Sequence, residues 1–573
     1  MNFKCLRDKT NLKTLLYILA FIPAFICLFC LYKYGVNIIF ADEYDVVNWS
    51  QFFSNDPYPF ASFFNQHNEH RIFFPRFIYY FIAKITNVDV KWQLYFTWSV
   101  FLAVSLLFVF YLKNFKTKLG VKLFSIFLLN CLIFSLCQYE NMFWGFQVGF
   151  ACVFGFAIFS FYFFYKFFEE ESIKVKTVYC IICLFFYVLA AFSSAQGLLV
   201  GLIIQFVTVI ILKFKFIKSK FFWFLLFFNV CVWFLYLNNY GNVGTNTTFE
   251  TASNRPLELL YHPIDALNYF FLFFVSPFGI KYGPFSIIFG IIVLLLVVYE
   301  LFDFLKKRNT LQIFPICLIL FCLLVCLGIA SQRLIIGVEQ ASASRYTTFS
   351  LLIYESLILL LFLRKINLWQ IFILVVISVS FVYSIHISRN GMVNWHNMLV
   401  DQRNTFLNYK YESEDSLRKL IMPSFFTKQV ASLFESNNAG PFYYDYESLG
   451  YEIDDSSKYS WCIDHISYNN KYVLVVGWFF KKGIDIDSNK VSIVFRDIGT
   501  NEMIVLPTLT LKRSDITRVF NDGHNYDYSG FKAEIPYSSL IDFDKTNYQI
   551  YVLYHDINGD KLINLNEVLK KQR

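Results

Sequence analysis

Eleven apolar stretches dominate this chain, each near the length of about 20 residues that a helix needs to cross a bilayer. They lie near 14–32, 91–112, 121–138, 147–168, 177–192, 197–213, 221–237, 284–304, 312–330, 347–363 and 367–385. A further apolar segment, 263–279, is interrupted by Pro277 and Gly279 and reads as a re-entrant or interfacial helix. Only 16% of the residues are charged against 57% hydrophobic, a balance unlike that of a soluble protein. The expected fold class is therefore a polytopic α-helical membrane protein.

The net charge of +8 hides an asymmetry. Residues 440–573 carry 15 Lys and Arg against 19 Asp and Glu, so the rest of the chain is strongly basic. Beyond 455, alternating runs such as KYVLVVGWFF, KVSIVFRD and NYQIYVLYHD are separated by Gly, Asn and Asp turns, the pattern of a β-sandwich. The expected organisation is a membrane domain over 1–390, a connector with short helices over 391–454 and a β-sandwich domain over 455–573. Of the 13 cysteines only Cys462 lies in the soluble part, so no disulfide framework can form there. The basic start, MNFKCLRDKTNLK, has no cleavage site after its apolar run and reads as a signal anchor.

Clusters of Lys and Arg mark cytoplasmic connections. Lys4, Arg7, Lys9 and Lys13 precede the first span; Lys113, Lys116, Lys118 and Lys122 follow the second. Lys213–Lys220, Lys306–Arg308 and Arg364–Lys365 continue the same side. The N-terminus is then inside, and the C-terminal domain is on the non-cytoplasmic side. Every unusual polar stretch falls on that outer face: 41–76, 138–147, 192–197, 238–256 and 331–346. Segments so distant in sequence that share one face suggest a single cavity built from several loops.

The first of these loops opens with Asp42, Glu43 and Asp45 and ends with HNEHR. Acids and imidazoles at a membrane edge are costly to keep without a use. A partly desolvated carboxylate there can take a proton from a hydroxyl as it attacks, which assigns Asp42 and Glu43 a catalytic role against the plainer reading of a solvated pair. If HNEHR is helical, His67, His70 and Arg71 share a face. Arg71 would then offer a planar fork to phosphate oxygens. A divalent metal on His67, Glu69 and His70 stays conceivable, although the spacing is not HExxH. Glu140, Asn141, Trp144 and Gln147 resemble sugar-binding donors and acceptors, as does Gln196, while Trp144 also suits an interfacial belt. Arg333, Arg345 and Tyr346 flank the last outer loop as a lipid-phosphate clamp or as interfacial snorkelling groups. In the tail, DINGDKLINLNE has calcium-loop spacing, but Lys561 stands where that loop needs Gly, and a hairpin turn is the better reading.

An acidic pair in the first outer loop, behind an anchor and ahead of many spans, resembles the GT-C superfamily of polyprenyl-phosphate-sugar-dependent glycosyltransferases. Within it, DEYD, HNEHR, ENMFWGFQ and ASRY look like bacterial enzymes that decorate O-antigen or other surface glycans. The resemblance covers residues 10–390. In the tail, GWFF (477–480), the Arg513–Asp515 pair and GF (530–531) are similar to β-sandwich modules appended to bacterial polysaccharide enzymes. The resemblance implies an inverting transfer at the periplasmic face of the bacterial inner membrane. Its partners would be a polyprenyl-phosphate-sugar donor, a glycan acceptor and membrane lipid, with no nucleic acid. Asp42 would be the general base, Glu43 would support or share that role, and Arg71, Arg333 and Arg345 would hold the leaving phosphate. No βαβ region or Gly-rich phosphate loop is visible, which suits a lipid-linked donor. An O-antigen polymerase or ligase and a polysaccharide-lipid transporter or flippase are the rival readings. In the tail, Trp461, Trp478, Tyr526 and Tyr528 are candidates to stack on acceptor sugars.

Overall fold

The computed structural model describes residues 14–241, 258–363, 387–403, 405–406, 409, 414–420, 424–437, 439–442, 452–468, 472–486, 491–499, 503–536, 547–556 and 559–569. The chain divides into two compact units, Met1–Leu399 and Val400–Arg573. The first is helical. Its opening helix is broken: Thr14–Ala20 meets α1 (Ile22–Tyr34) at 51°. Pro23 sits in the first turn of α1, where a residue without an N–H is tolerated and a helix interior is not.

After the polar loop come α2 (Phe73–Ile85), α3 (Lys91–Lys113), α4 (Leu119–Ile133), α5 (Val148–Glu169) and α6 (Ile173–Ala191). They are followed by α7 (Leu198–Leu212), α8 (Lys220–Leu237), α9 (Pro263–Val275), α10 (Pro284–Lys307), α11 (Ile313–Arg333) and α12 (Ser344–Leu361). With the short turns that extend them, α3–α8, α10 and α11 are eight helices among the described residues long and apolar enough to cross a membrane, and the bent first pair, counted as one span, makes a ninth. This fits a membrane-embedded protein.

The count differs from eleven for two reasons. The stretch at 367–385 lies outside the described residues. The stretch at 347–363 is α12, which contains Arg345, Glu355 and several Ser and Thr and is not among the eight. Sixteen of its 18 residues are buried, so its polar side chains meet protein instead of lipid. The interrupted segment forms α9 and a 3₁₀ turn, Ser276–Phe278, ended by Gly279 at φ 66. Together they are shorter than a span. Of the expected outer loop 238–256, only the first residues are described.

Helices α5 and α11 are the best-covered spans, whereas α6, α8 and α10 keep most of their apolar surface uncovered. Polar turns at the starts of α5, α7 and α12 and the end of α11 converge at one end of this bundle, where the site lies.

The second unit carries two sheets of mainly antiparallel strands. One has the order β3-β11-β10-β6-β7, built from Glu452–Ile453, Gly559–Leu569, Tyr548–Asp556, Val491–Asp497 and Met503–Pro507. The other has the order β4-β5-β9-β8, built from Tyr459–Tyr468, Tyr472–Lys481, Gly530–Pro536 and Leu509–Leu511. Val473, Val475 and Phe531 of one sheet share an apolar core with Ile493, Phe495, Ile550 and Val552 of the other. The calcium-like stretch is a hairpin, with Asp556 and Gly559 as register partners. The three resembling motifs come together: Gly477 pairs with Phe531, Trp478 with Gly530, and a Cβ at Gly530 would meet Arg513 Cγ at 2.6 Å. Arg513 itself is fixed on Asp515 and Asp464. Tyr526 is not a surface group. It is fully buried, stacked on Phe480 at 3.9 Å, with its hydroxyl donating to Asp522. A sugar has no access to that ring, and the stacking role expected for it is withdrawn.

Candidate active site

The acidic pair sits on a 3₁₀ turn, Ala41–Asp45, with six residues between it and the end of α1. Consecutive side chains of such a turn point about 120° apart, so the two carboxylates part company. Glu43 turns inward and is fully buried. Its Oε2 accepts from the Phe40 amide and its Oε1 from the Tyr79 hydroxyl of α2, each at 3.0 Å. A Cβ at Gly145 would come within 2.4 Å of Glu43 Oε1 and 2.8 Å of Val90 Cγ1, so any larger residue would have to push these side chains aside. Burial pushes the Glu43 carboxyl up to about 8. Asp42 turns the other way and lines a cavity of about 430 Å³. Burial raises its pKa too, while Arg345 and Arg333 pull it back down.

HNEHR is not helical. Gln66–His67 (β1) and His70–Arg71 (β2) form a small antiparallel hairpin, turned by Asn68 at φ 49. Side chains alternate across a strand. Accordingly His67 and His70, which are register partners, line the cavity, whereas Arg71 pairs with Gln66 on the other face. Arg71 donates to the carbonyls of Tyr236, Phe64 and Asn238 and faces away from the cavity of Asp42, so it does not join Arg333 and Arg345 in the phosphate clamp expected of it. Arg76, one turn into α2, ties down the same loop through the carbonyls of Val46 and Asn65.

His70 Nδ1 accepts from the Ala195 amide at 3.3 Å, which leaves the ring proton on Nε2, 3.5 Å from Glu69 Oε1. Burial lowers the pKa of both imidazoles, that of His67 to about 4, so both are neutral near pH 7. Burial raises the Glu69 carboxyl, but His70 and Arg333 outweigh it and hold Glu69 below its ordinary value. Among the described residues no group of three or more His, Cys, Asp and Glu is arranged to hold a metal ion, His67, Glu69 and His70 included.

The turn at 138–147 has a different job at each end. Glu140 Oε2 accepts from the Arg345 amide at 3.2 Å, its own amide donates to Ser344 Oγ, and so it caps the start of α12. Asn141 Nδ2 donates to the Arg345 carbonyl and to Thr348 Oγ1. Gln138 accepts from the same Thr348 hydroxyl. Neither Glu140 nor Asn141 lines the cavity, but together they place Arg345 and Tyr346, which do. Trp144 donates from Nε1 to the Phe40 carbonyl and so fixes the acidic turn from the side, with one face on the cavity. Gln147 is buried at the cavity wall and its Oε1 has no partner among the described residues. A buried amide oxygen without a donor costs on the order of 1–3 kcal/mol, which a ligand hydroxyl would recover.

The cavity thus gathers Asp42, His67, Glu69 and His70 from the first loop with Gln147, Gln196, Arg333 and Arg345 from later turns. The guanidinium of Arg345 lies over the Tyr346 ring at 5.3 Å. Below the polar groups the wall turns apolar, through Phe150, Leu199, Leu324, Val325 and Ile329. Nothing in the sequence singled out those five, because a cavity-lining Leu inside a span has the same neighbours in sequence as a lipid-facing one. Arg76 and Tyr79 were missed as well, although a lone Arg within the apolar run FFPRFIYY was a visible signal. Chemically, the arrangement can take a proton at Asp42, neutralise an anion at two guanidinium groups and hydrogen-bond several hydroxyls. No family model, curated protein or solved structure matches the chain.

Proposed function

We propose that the chain is a GT-C-type membrane glycosyltransferase that moves a sugar from a polyprenyl-phosphate donor to a hydroxyl of a surface glycan, with inversion. The observation that carries this reading is one cavity, polar above and apolar below, that combines carboxylates from the first loop with Arg333 and Arg345 from the last. Asp42 takes the proton of the acceptor hydroxyl as its oxygen attacks the anomeric carbon. The bond from that carbon to the lipid phosphate breaks, and the phosphate leaves with the electron pair. Arg333 and Arg345 neutralise the charge that develops on it. Burial makes Asp42 a stronger base, and the two cations oppose that shift by favouring its charged form. Glu69, oriented by His70, and Gln147 with its unpaired oxygen bind sugar hydroxyls. Glu43 supports the base from behind.

Eleven spans, a cytoplasmic N-terminus and a periplasmic β-sandwich in the bacterial inner membrane belong to the same proposal. The clustered Lys and Arg connections and the core shared by the two tail sheets support them. Transport is the second reading, and one observation favours it. Glu355, in the middle of α12, is fully buried, and neither carboxyl oxygen has a hydrogen-bond partner among the described residues. Such groups often mark ion pathways.

Surface glycans from cells with and without the chain separate these readings. If the chain is a glycosyltransferase, cells without it lack one sugar decoration while polymer length stays the same. Loss of the polymer ladder itself would favour a polymerase or ligase. A decoration that persists, or that is lost on Glu355→Gln while Asp42→Asn keeps it, would favour transport.

A further inference from the structure

A second cavity, of about 910 Å³, lies on the other face of the 66–71 hairpin. Its walls are Phe64, Phe73 and Phe74 from the loop and α2, Val188 near the end of α6 and Leu235 near the end of α8. Only 22% of the apolar window of α6 and 28% of that of α8 is buried, so both helices beside the groove keep most of their apolar surface uncovered by protein. Its polar rim is formed by Asn65, Asn238 and Asn239.

Arg71 lines this groove and is 7% exposed. Three of its five N–H groups are used on carbonyls, two of them at the end of α8. Those carbonyls supply about half a counter-charge through the helix dipole. Among the described residues no carboxylate forms an ion pair with Arg71, and a buried cation without full compensation is costly. The groove therefore offers an apolar trough and, at one end, a positive charge that no carboxylate among the described residues offsets.

We propose that this groove holds an anionic phospholipid of the bilayer, its phosphate at Arg71 and one acyl chain along Phe73, Phe74, Val188 and Leu235. It uses none of Asp42, Arg333 and Arg345, so it stands whatever reaction the other cavity carries out. The lipid wedges the hairpin from behind and thereby fixes the wall that presents His67 and His70.

Native mass spectrometry of the full chain, offered equal phosphatidylglycerol and phosphatidylcholine, tests this. One phosphatidylglycerol should be retained per chain, with a preference of roughly fivefold. Arg71 variants risk misfolding, since Arg71 also holds three carbonyls. Val188→Trp and Leu235→Trp fill the trough without touching those bonds and should abolish the retention, whereas Asp42→Asn should keep it. Equal retention of both lipids, or retention unchanged in both tryptophan variants, would overturn the proposal. So would displacement of phosphatidylglycerol by equimolar undecaprenyl phosphate, which would make the groove part of the donor path.

Discussion

The turn at Ala41–Asp45 and the turn at 138–147 draw on the same kinds of side chain and use them differently. In the first, Asp42 faces a cavity beside Arg333 and Arg345, and its neighbour Glu43 is buried against Phe40 and Tyr79. In the second, Glu140 and Asn141 bind the first turn of α12, and only Trp144 and Gln147 reach the cavity. The difference lies in what is close by. A helix start presents unpaired N–H groups, and Glu140 accepts from one while Asn141 donates to the Arg345 carbonyl and the Thr348 hydroxyl; Asp42 meets open space and two cations. Polar residues at the edge of a membrane bundle thus divide into those that hold backbone and those left for a ligand. Hydrogen-bond partners, more than residue type, tell them apart.

The comparison breaks first if the cations are dispensable. Replacing Arg333 and Arg345 together by Gln should lower sugar transfer by about 10³-fold or more, since one preorganised charge-stabilising donor is typically worth 10²–10³. Single replacements should also move the acid limb of the pH–rate profile upward, because each arginine holds the Asp42 pKa down. A limb that stays put would separate the arginines from Asp42.

A smaller effect concerns the buried side of the pair. Gly145→Ala places a methyl within 2.4 Å of Glu43 Oε1 and 2.8 Å of Val90 Cγ1. Overpacking of this kind costs about 1–3 kcal/mol, to be read as a lower midpoint of thermal unfolding. An unchanged midpoint would mean that the contact between the two turns is looser than described.

The buried acid also makes stability depend on pH. The folded-state pKa of Glu43 is raised to about 8 from 4.5, so between those values the folded chain binds a proton that the unfolded chain does not. Its contribution is full below pH 4.5 and is lost as pH rises through 8. Melting temperature should therefore decline across that window, and Glu43→Gln should flatten the decline. An identical slope in the variant would remove Glu43 as its source.

Much of the site was legible because orientation sorts polar turns to one face before any contact is known. Asp42, Gln196, Arg333 and Arg345 were drawn together on that ground alone. The geometry within each turn was not legible. Six residues at 66–71 are too few to distinguish a period of 2 from one of 3.6, and that choice decides whether Arg71 stands with His70 or behind it. Which of two adjacent acids is buried depends on Tyr79 and Gly145, both distant in sequence. In the tail, alternation revealed strands, but it could not show that Tyr526 stacks beneath Phe480.

The central claim is that Asp42 is the base and Glu43 is not. The direct test is the sugar content of surface glycan from cells expressing Asp42→Asn or Glu43→Gln at matched protein levels. Asp42→Asn should reduce the decoration by about 10²–10⁴-fold, the usual worth of a general base, while Glu43→Gln keeps most of it. Full decoration by Asp42→Asn, with loss in Glu43→Gln, would contradict the account.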